Sequence, residues 1–371
     1  MLVNGKSYRT IWLDPEDDKV FRTIDQRYLP FEFRVEELKS IEDVFYAIRD
    51  MHLRGAPLIG AAASAGIYLS LFNLPGSDDP FEYLEQKAAY LKSARPTAVN
   101  LAMAVDRQLK ILSGINTRDE MILKAKQEWQ RLADEEILNC RKIGEFAFPL
   151  IERISQEKDG LPVNILTHCN AGWLACIDYG TATAPVYLAH ETDIPVHVWV
   201  SETRPRLQGA RLTCWELREQ GVPYTLVTDN AAGYLMQNKL VDMVLVGSDR
   251  TALNGDVANK IGTYLKAIAA KDNGIPFYVA LPSSSIDFKI QSGKDIPIEE
   301  RDENEVRFVE GLVRGKPSRA RIAPLHSMAY NPAFDVTPAH LITGLVTERG
   351  ICQANKEGLM GLFPDMVSGK E

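Results

Sequence analysis

The chain has 371 residues, enough for two domains with room for a third, and its 45% hydrophobic against 25% charged composition lets it bury a large core rather than stay disordered. Forty-two basic and fifty acidic side chains leave a net charge of -8, a field that opposes phosphate backbones and anionic lipid and argues against nucleic-acid and membrane partners. Five cysteines without a C-x-x-C pair are too few for a disulfide framework and suit a reducing cytoplasm.

Charge and proline between Asp14 and Lys19 stand where a signal peptide would need its apolar run, so no targeting segment is expected at the start. Residues 1–33 read as an extended arm or small sheet, with a strand-like run from Ser7 to Leu13. Apolar residues at three- and four-residue spacings then predict helices over 35–53, 57–72, 81–92, 97–112 and 119–154. No charged residue occurs from Gly55 to Ser77, a stretch long enough to span a bilayer. Turn residues occupy both of its ends, however (Gly55-Ala56-Pro57 and Asn73-Leu74-Pro75-Gly76), and its middle is rich in Ala, Gly and Ser, which favours a closely packed core helix.

After Lys158-Asp159-Gly160 the period changes. Apolar runs at 163–167, 196–200, 224–228, 243–246 and 277–280 alternate with helical stretches, the pattern of parallel strands covered on both faces. The fold class expected is α/β: an N-terminal arm and helical domain over 1–157, then a doubly wound Rossmann-like parallel-sheet domain over 158–371. Residues 299–321 read as a charged loop excursion.

Ligands of such sheets bind beyond the carboxyl ends of the strands. Those ends carry Thr167-His168-Cys169-Asn170-Ala171-Gly172, then Glu202-Thr203-Arg204-Pro205 with Gln208-Gly209, then Thr228-Asp229-Asn230, then Gly247-Ser248-Asp249-Arg250. The last loop continues through Asp256, read as a helix N-cap, to Asn259-Lys260-Ile261-Gly262-Thr263, where free amides and a lysine would suit a phosphate. No Walker A or G-x-G-x-x-G sequence is present to bind a nucleotide. Arg54-Gly55-Ala56-Pro57, Arg95-Pro96-Thr97 and Arg204-Pro205 each read as an arginine before a proline-marked helix start, and their recurrence favours a bound anion. Cys169 and Asp249 are the candidate catalysts. His168 adjoins Cys169, but neighbours on a strand face opposite ways, which disfavours a Cys/His pair. The six histidines show no metal-ligand spacing, so no metal is expected.

In order, these motifs resemble those of the methylthioribose-1-phosphate isomerases, a family grouped with the regulatory subunits of translation initiation factor 2B. The resemblance covers nearly the whole chain. It implies a homodimer that needs no cofactor and converts 5-methylthioribose 1-phosphate to its ketose, a small-molecule sugar phosphate of methionine salvage. It further implies that Asp249 and Cys169 are catalytic and that Arg54, Gly55, Ala56, Arg95, Gln208, Asn259 and Lys260 bind substrate. Ser248 departs from the alanine common there, and its hydroxyl is expected to reach Asp249. The alternatives are an isomerase of a related sugar 1-phosphate, such as 5-deoxyribose 1-phosphate or ribose 1,5-bisphosphate, and a non-catalytic regulatory subunit.

Overall fold

A run of small apolar residues beyond Gly55 forms the helix on which the first part of the chain packs. The computed structural model describes residues 1–75, 80–96 and 98–367 and divides into two compact units, Met1–Cys140 with Trp173–Gly180 and Arg141–Gly172 with Thr181–Glu371. Gly76 and Thr97, each part of a motif named above, lie outside the described residues. The expected boundary at 157/158 coincides with the end of a 40-residue helix, whereas the units divide inside that helix.

In the first unit a hairpin of β1 (Leu2–Val3) and β2 (Lys6–Ser7) precedes an antiparallel sheet of β3 (Ile11–Leu13), β4 (Phe21–Ile24) and β5 (Val35–Leu38). Helices α1 (Ile41–Arg49), α2 (Ala56–Ser70), α3 (Pro80–Lys92), α4 (Val99–Leu112) and α5 (Arg118–Glu157) follow. The helix expected over 35–53 is thus a strand and a shorter helix. Val35 and Leu38 are three apart, which mimics a helical turn, but Leu38 pairs with Phe21 across the sheet. Ser40 then starts α1 by accepting the Asp43 N–H at 3.1 Å. Residues 56–73 form the one span among those described that is long and apolar enough to cross a membrane, and 83% of it is buried. Small residues explain the burial: a Cβ on Gly66 would lie 2.9 Å from Leu91, and one on Gly60 would lie 3.1 Å from the Asn100 carbonyl. Helices α3 and α4 therefore pack directly on the α2 backbone.

The second unit carries strands β6 (Val163–His168), β7 (Val196–Ser201), β8 (Tyr224–Val227), β9 (Met243–Val246), β10 (Arg250–Ala252), β11 (Val257–Lys260), β12 (Phe277–Ala280), β13 (Ile286–Asp287), β14 (Phe308–Val313), β15 (Lys316–Arg321), β16 (Phe334–Thr337), β17 (Gly344–Thr347) and β18 (Gly350–Cys352). Its further helices are α6 (Ala184–Glu191), α7 (Cys214–Glu219), α8 (Ala231–Gln237), α9 (Thr263–Asp272), α10 (Asn304–Arg307), α11 (Lys356–Leu362) and α12 (Pro364–Val367). Seven strands form the main sheet in the order β18-β17-β12-β9-β6-β7-β8, parallel except for β18. The chain builds outward through β6, β7 and β8, then returns to lay β9, β12 and β17 on the other side. The strand order therefore reverses between β6 and β9, the switch point where such sheets open a crevice.

A second sheet, β13-β10-β11-β16, grows from the loop after β9. Two expectations are corrected here. The charged stretch at 299–321 is no loose excursion, because β14 and β15 pair as an antiparallel hairpin from Phe308↔Arg321 to Val313↔Lys316. Asp256 caps no helix. It lies in the turn between β10 and β11, where its carboxylate accepts the N–H groups of Gly293 at 3.0 Å and Ala339 at 2.9 Å.

Candidate active site

At the switch point Cys169, directly after β6, neighbours the loop after β9 that leads to Asp249. The two loops touch, since a Cβ on Gly247 would stand 2.6 Å from that of Ala171. Cys169 is 8% exposed and has left-handed backbone with φ 66°, a conformation costly for residues other than glycine. Its N–H donates to Thr203 Oγ1 at 2.8 Å, and its carbonyl accepts the Thr213 hydroxyl at 2.6 Å.

Below Cys169 lies a buried polar layer. His168 is fully buried and has Nε2 2.9 Å from the Ile261 carbonyl and Nδ1 3.2 Å from Ser201 Oγ. Burial and the nearby Lys266 push its imidazole down to about 3, so the ring is neutral. A carbonyl can only accept, which places the proton on Nε2. Both of these ring contacts are with groups other than Cys169.

Asp229, after β8, accepts the Ser201 hydroxyl at 2.5 Å and the N–H groups of Thr203 at 2.8 Å and Arg204 at 2.7 Å. Burial works to raise its carboxyl, but the Ser201 hydroxyl, the Arg204 N–H and the charge of Lys266 hold it below the usual carboxylate range. Lys266 is itself 3% exposed, with Nζ 3.9 Å from the Asp229 carboxylate, and burial lowers its ammonium. On the far side of the Cys169 loop, Glu216 is fully buried between Asn170 Nδ2 at 3.0 Å and the Tyr187 hydroxyl at 3.0 Å. Gly172 is required there, because a Cβ would overlap the Glu216 carboxylate at 1.6 Å.

Asp249 is half-buried, and its N–H donates to the Ala258 carbonyl at 3.0 Å, which ties it to β11. Ser248 turns its hydroxyl to Thr251 Oγ1 at 2.9 Å, a partner that the expected contact with Asp249 did not foresee. Asn259 is 4% exposed and donates from Nδ2 to Thr263 Oγ1 at 3.0 Å. Lys260, next along β11, holds Nζ 4.2 Å from the Phe334 ring centroid. Both residues therefore sit on a strand and not in a first helical turn as expected. The first turn of α9 is already engaged: Gly262 and Tyr264 donate their N–H groups to Asp335 at 2.7 and 3.1 Å. Gln208 is 5% exposed and its Oε1 is a buried acceptor with no hydrogen-bond partner among the described residues. It precedes a π-helical turn over Gly209–Thr213, an irregularity common at functional sites.

In the first unit Arg54 is 9% exposed and Gly55, with φ 103°, caps α2, which starts at Ala56 with Pro57 in its first turn. Arg95 lies in a turn in which its carbonyl accepts the Ala98 N–H at 3.0 Å, ahead of α4. Pro96 thus precedes the helix rather than starting it. The third arginine differs more. Arg204 Nη1 and Nη2 donate to the carbonyls of Pro205 and Val306 at 2.9 and 2.8 Å, and no helix starts at Pro205. Its guanidinium fastens the hairpin segment, a role that carbonyl oxygens explain and an anion does not. A cavity of about 80 Å³ beside that hairpin is lined by Arg206 and Arg211, paired with Glu305 and Glu310, and by none of the expected site residues.

Sequence reasoning assigned no role to Thr203, Thr213, Asp229, Lys266 or Glu216. The available signals were the strand-end position of Asp229 and a lone lysine, Lys266, on the apolar side of α9. Among the described residues Asp25, Glu36 and His52 also gather ligand-type atoms within 4.8 Å, but Arg27 already grips Asp25 at 2.6 Å.

The family model described as the Initiation factor 2 subunit family matches residues 52–354. A chain named methylthioribose-1-phosphate isomerase from Desulfatibacillum aliphaticivorans is 54% identical, over 99% of this chain and 100% of its own length. The crystal structure of 5-methylthioribose 1-phosphate isomerase from Pyrococcus horikoshii OT3 superposes with a TM-score of 0.82 at 42% identity, covering 97% of this chain and 96% of that one. The crystal structure of translation initiation factor eIF-2B, subunit delta, from A. fulgidus gives 0.79 at 38% identity, covering 96% and 100%.

Proposed function

Since the chain belongs to the Initiation factor 2 subunit family, we propose that it is an isomerase that converts 5-methylthioribose 1-phosphate to 5-methylthioribulose 1-phosphate in methionine salvage. The observation that carries this reading is the match over the full chain, at 54% identity, to a relative of that name. The positions of Cys169 after β6 and Asp249 in the loop after β9, on either side of the β6/β9 reversal, support assigning the chemistry to these two residues.

The substrate's anomeric oxygen is esterified, so its ring cannot open spontaneously to a free aldehyde. In our reading Asp249, in its acid form, donates a proton to the ring oxygen as the bond to the anomeric carbon breaks. Hydrogen then moves from the adjacent carbon to the anomeric carbon, with Cys169 carrying or stabilising it, and the adjacent hydroxyl becomes the ketone by giving its proton to the Asp249 carboxylate, which restores the acid. Lys260, Arg54 and Arg95 are assigned to the phosphate, Gln208 and Asn259 to hydroxyls, and Gly55 and Ala56 to close backbone approach. The unpartnered Gln208 Oε1 suits a substrate hydroxyl as donor. We place the enzyme in the cytoplasm as a homodimer; its five cysteines, none of them in a disulfide, are consistent with a reducing compartment.

A second reading, a non-catalytic regulatory subunit, draws support from the 38% identity with the A. fulgidus chain. One experiment separates them. Purified protein is assayed for ketose formation from 5-methylthioribose 1-phosphate, 5-deoxyribose 1-phosphate and ribose 1,5-bisphosphate, with Asp249→Asn alongside. The methylthio sugar is expected to give the highest kcat/KM, and Asp249→Asn to lose at least about a hundredfold in kcat. Turnover of none of the three sugars favours the regulatory reading, and near-native turnover by the variant removes Asp249 as the acid.

A further inference from the structure

Cys169 is buried, is not a glycine, and yet has φ 66°. Thr203, beside Cys169 just after β7, is also left-handed, with φ 67°, although β-branched residues tolerate that region poorly. Two such conformations persist only where their surroundings over-determine them, and here the surroundings are two threonine hydroxyls. Thr203 Oγ1 accepts the Cys169 N–H at 2.8 Å and donates its own proton to the Ser201 carbonyl at 2.9 Å. Thr213 Oγ1 donates to the Cys169 carbonyl at 2.6 Å and accepts from Asn170 Nδ2 at 3.2 Å. Both threonines are buried, at 0% and 1% exposure. Thr203 is fixed in turn by the Asp229 carboxylate, which takes its N–H.

We propose that Thr203 and Thr213 are positioning residues for the isomerisation, clamping the two peptide groups of Cys169 so that its thiol keeps one direction while hydrogen moves between neighbouring carbons. This rests on the function proposed above, in which Cys169 acts on substrate. Neither threonine touches the reacting atoms. Asp229 anchors the clamp from below, by way of the Thr203 backbone. A displacement of about 1 Å in a reacting group costs on the order of a hundredfold in rate, whereas phosphate binding elsewhere on the substrate is unaffected by it.

The test compares Thr203→Val, which keeps the shape and removes the hydroxyl, with Thr203→Ser, which restores it. Thr203→Val is expected to lower kcat at least about tenfold with KM little changed, and Thr203→Ser to recover most of the loss. Iodoacetamide labelling, followed peptide by peptide by mass spectrometry, supplies a readout independent of turnover. In Thr203→Val the Cys169 peptide is expected to label faster relative to the buried Cys214. General loosening of the fold would raise both together.

Unchanged kcat, no recovery with serine, or parallel labelling of Cys169 and Cys214 overturns the proposal. If Thr203→Val does not fold, Thr213→Val is read by the same criteria. A wild-type protein that isomerises none of the sugars overturns the proposed function instead, and the labelling ratio then decides alone whether the clamp exists.

Discussion

Helices α2 and α9 begin alike and are furnished oppositely. Each is preceded by a glycine that no L-residue readily replaces, Gly55 at φ 103° and Gly262 at φ 101°, and neither cap uses a side chain of its own. At α2 the neighbouring charge is the buried guanidinium of Arg54, and the first turn holds no acidic residue. At α9 the Asp335 carboxylate from β16 accepts the N–H groups of Gly262 and Tyr264. The positive end of a helix dipole attracts an anion in both places, but at α9 the protein supplies that anion itself. Helix starts that look equivalent in sequence are therefore not equivalent sites, and the substrate phosphate is expected to depend on the first far more than on the second.

The largest difference should appear when each glycine becomes alanine. A Cβ at Gly55 would stand 2.2 Å from the Ala175 carbonyl oxygen, in the same unit, and 2.5 Å from its Cα. Backbone must move, so strain and overpacking add, and Gly55→Ala should cost roughly 3–5 kcal/mol of unfolding free energy. At Gly262 the nearest atoms are side-chain ones, His168 at 3.3 Å and Lys266 Nζ at 3.5 Å. Strain alone then predicts about 1–2 kcal/mol for Gly262→Ala. Urea unfolding of the two variants measures both, and equal losses would show that the close approach at Gly55 carries no weight.

Next in size is the effect on substrate. If α2 supplies the phosphate site, Arg54→Ala should raise KM by about thirtyfold or more, because a bidentate charged contact is lost. Asp335→Asn should leave KM nearly unchanged. Steady-state kinetics on the methylthio sugar checks the pair. A larger KM effect at Asp335 than at Arg54 would reverse the contrast between the two helices.

Much of this arrangement was legible in the sequence where burial is uniform. The five strands expected from apolar runs are all present, and β9 and β12 are buried at every position, whereas β8 at the sheet edge leaves Thr225 and Leu226 exposed. The second sheet was illegible for the same reason inverted. Its β11 carries Asn259 and Lys260, polar residues that read, after Asp256 as N-cap, as the start of a helix, and its register is set by β16, more than seventy residues later. β5 failed because Val35 and Leu38 satisfy a helical spacing within four residues, and only pairing with β4 decides otherwise. Around the candidate site the strand-end rule singled out Cys169 and Asp249, which do lie directly after β6 and between β9 and β10. What it could not supply was partnership: that Thr203 and Thr213 would hold Cys169, or that Arg204 would spend its guanidinium on the carbonyls of Pro205 and Val306. Hydrogen bonds between residues distant in sequence leave no local pattern to read.

The smallest effect concerns pH and bears on why α9 tolerates a half-buried carboxylate. Burial raises the Asp335 carboxyl above its ordinary value of 3.8, although the N–H groups of Gly262 and Tyr264 and the charge of Lys266 oppose the rise. In the window between the unfolded value and the raised native one, the native state binds more protons than the unfolded chain. Stability from this group is thus fully present below about 3.8, declines as pH rises through the native value, and is level above it. Asp335→Asn has no such titration. Wild type should therefore lose stability relative to the variant as pH rises from about 4, with the difference constant once the native carboxyl is ionised. Chemical denaturation of both proteins at stepped pH measures that difference. A gap that moves the other way, with wild type gaining on the variant as pH increases, would mean that the amides and Lys266 outweigh burial, and α9 would then present its Asp335 as a stabilised anion, one more reason for a phosphate to avoid it.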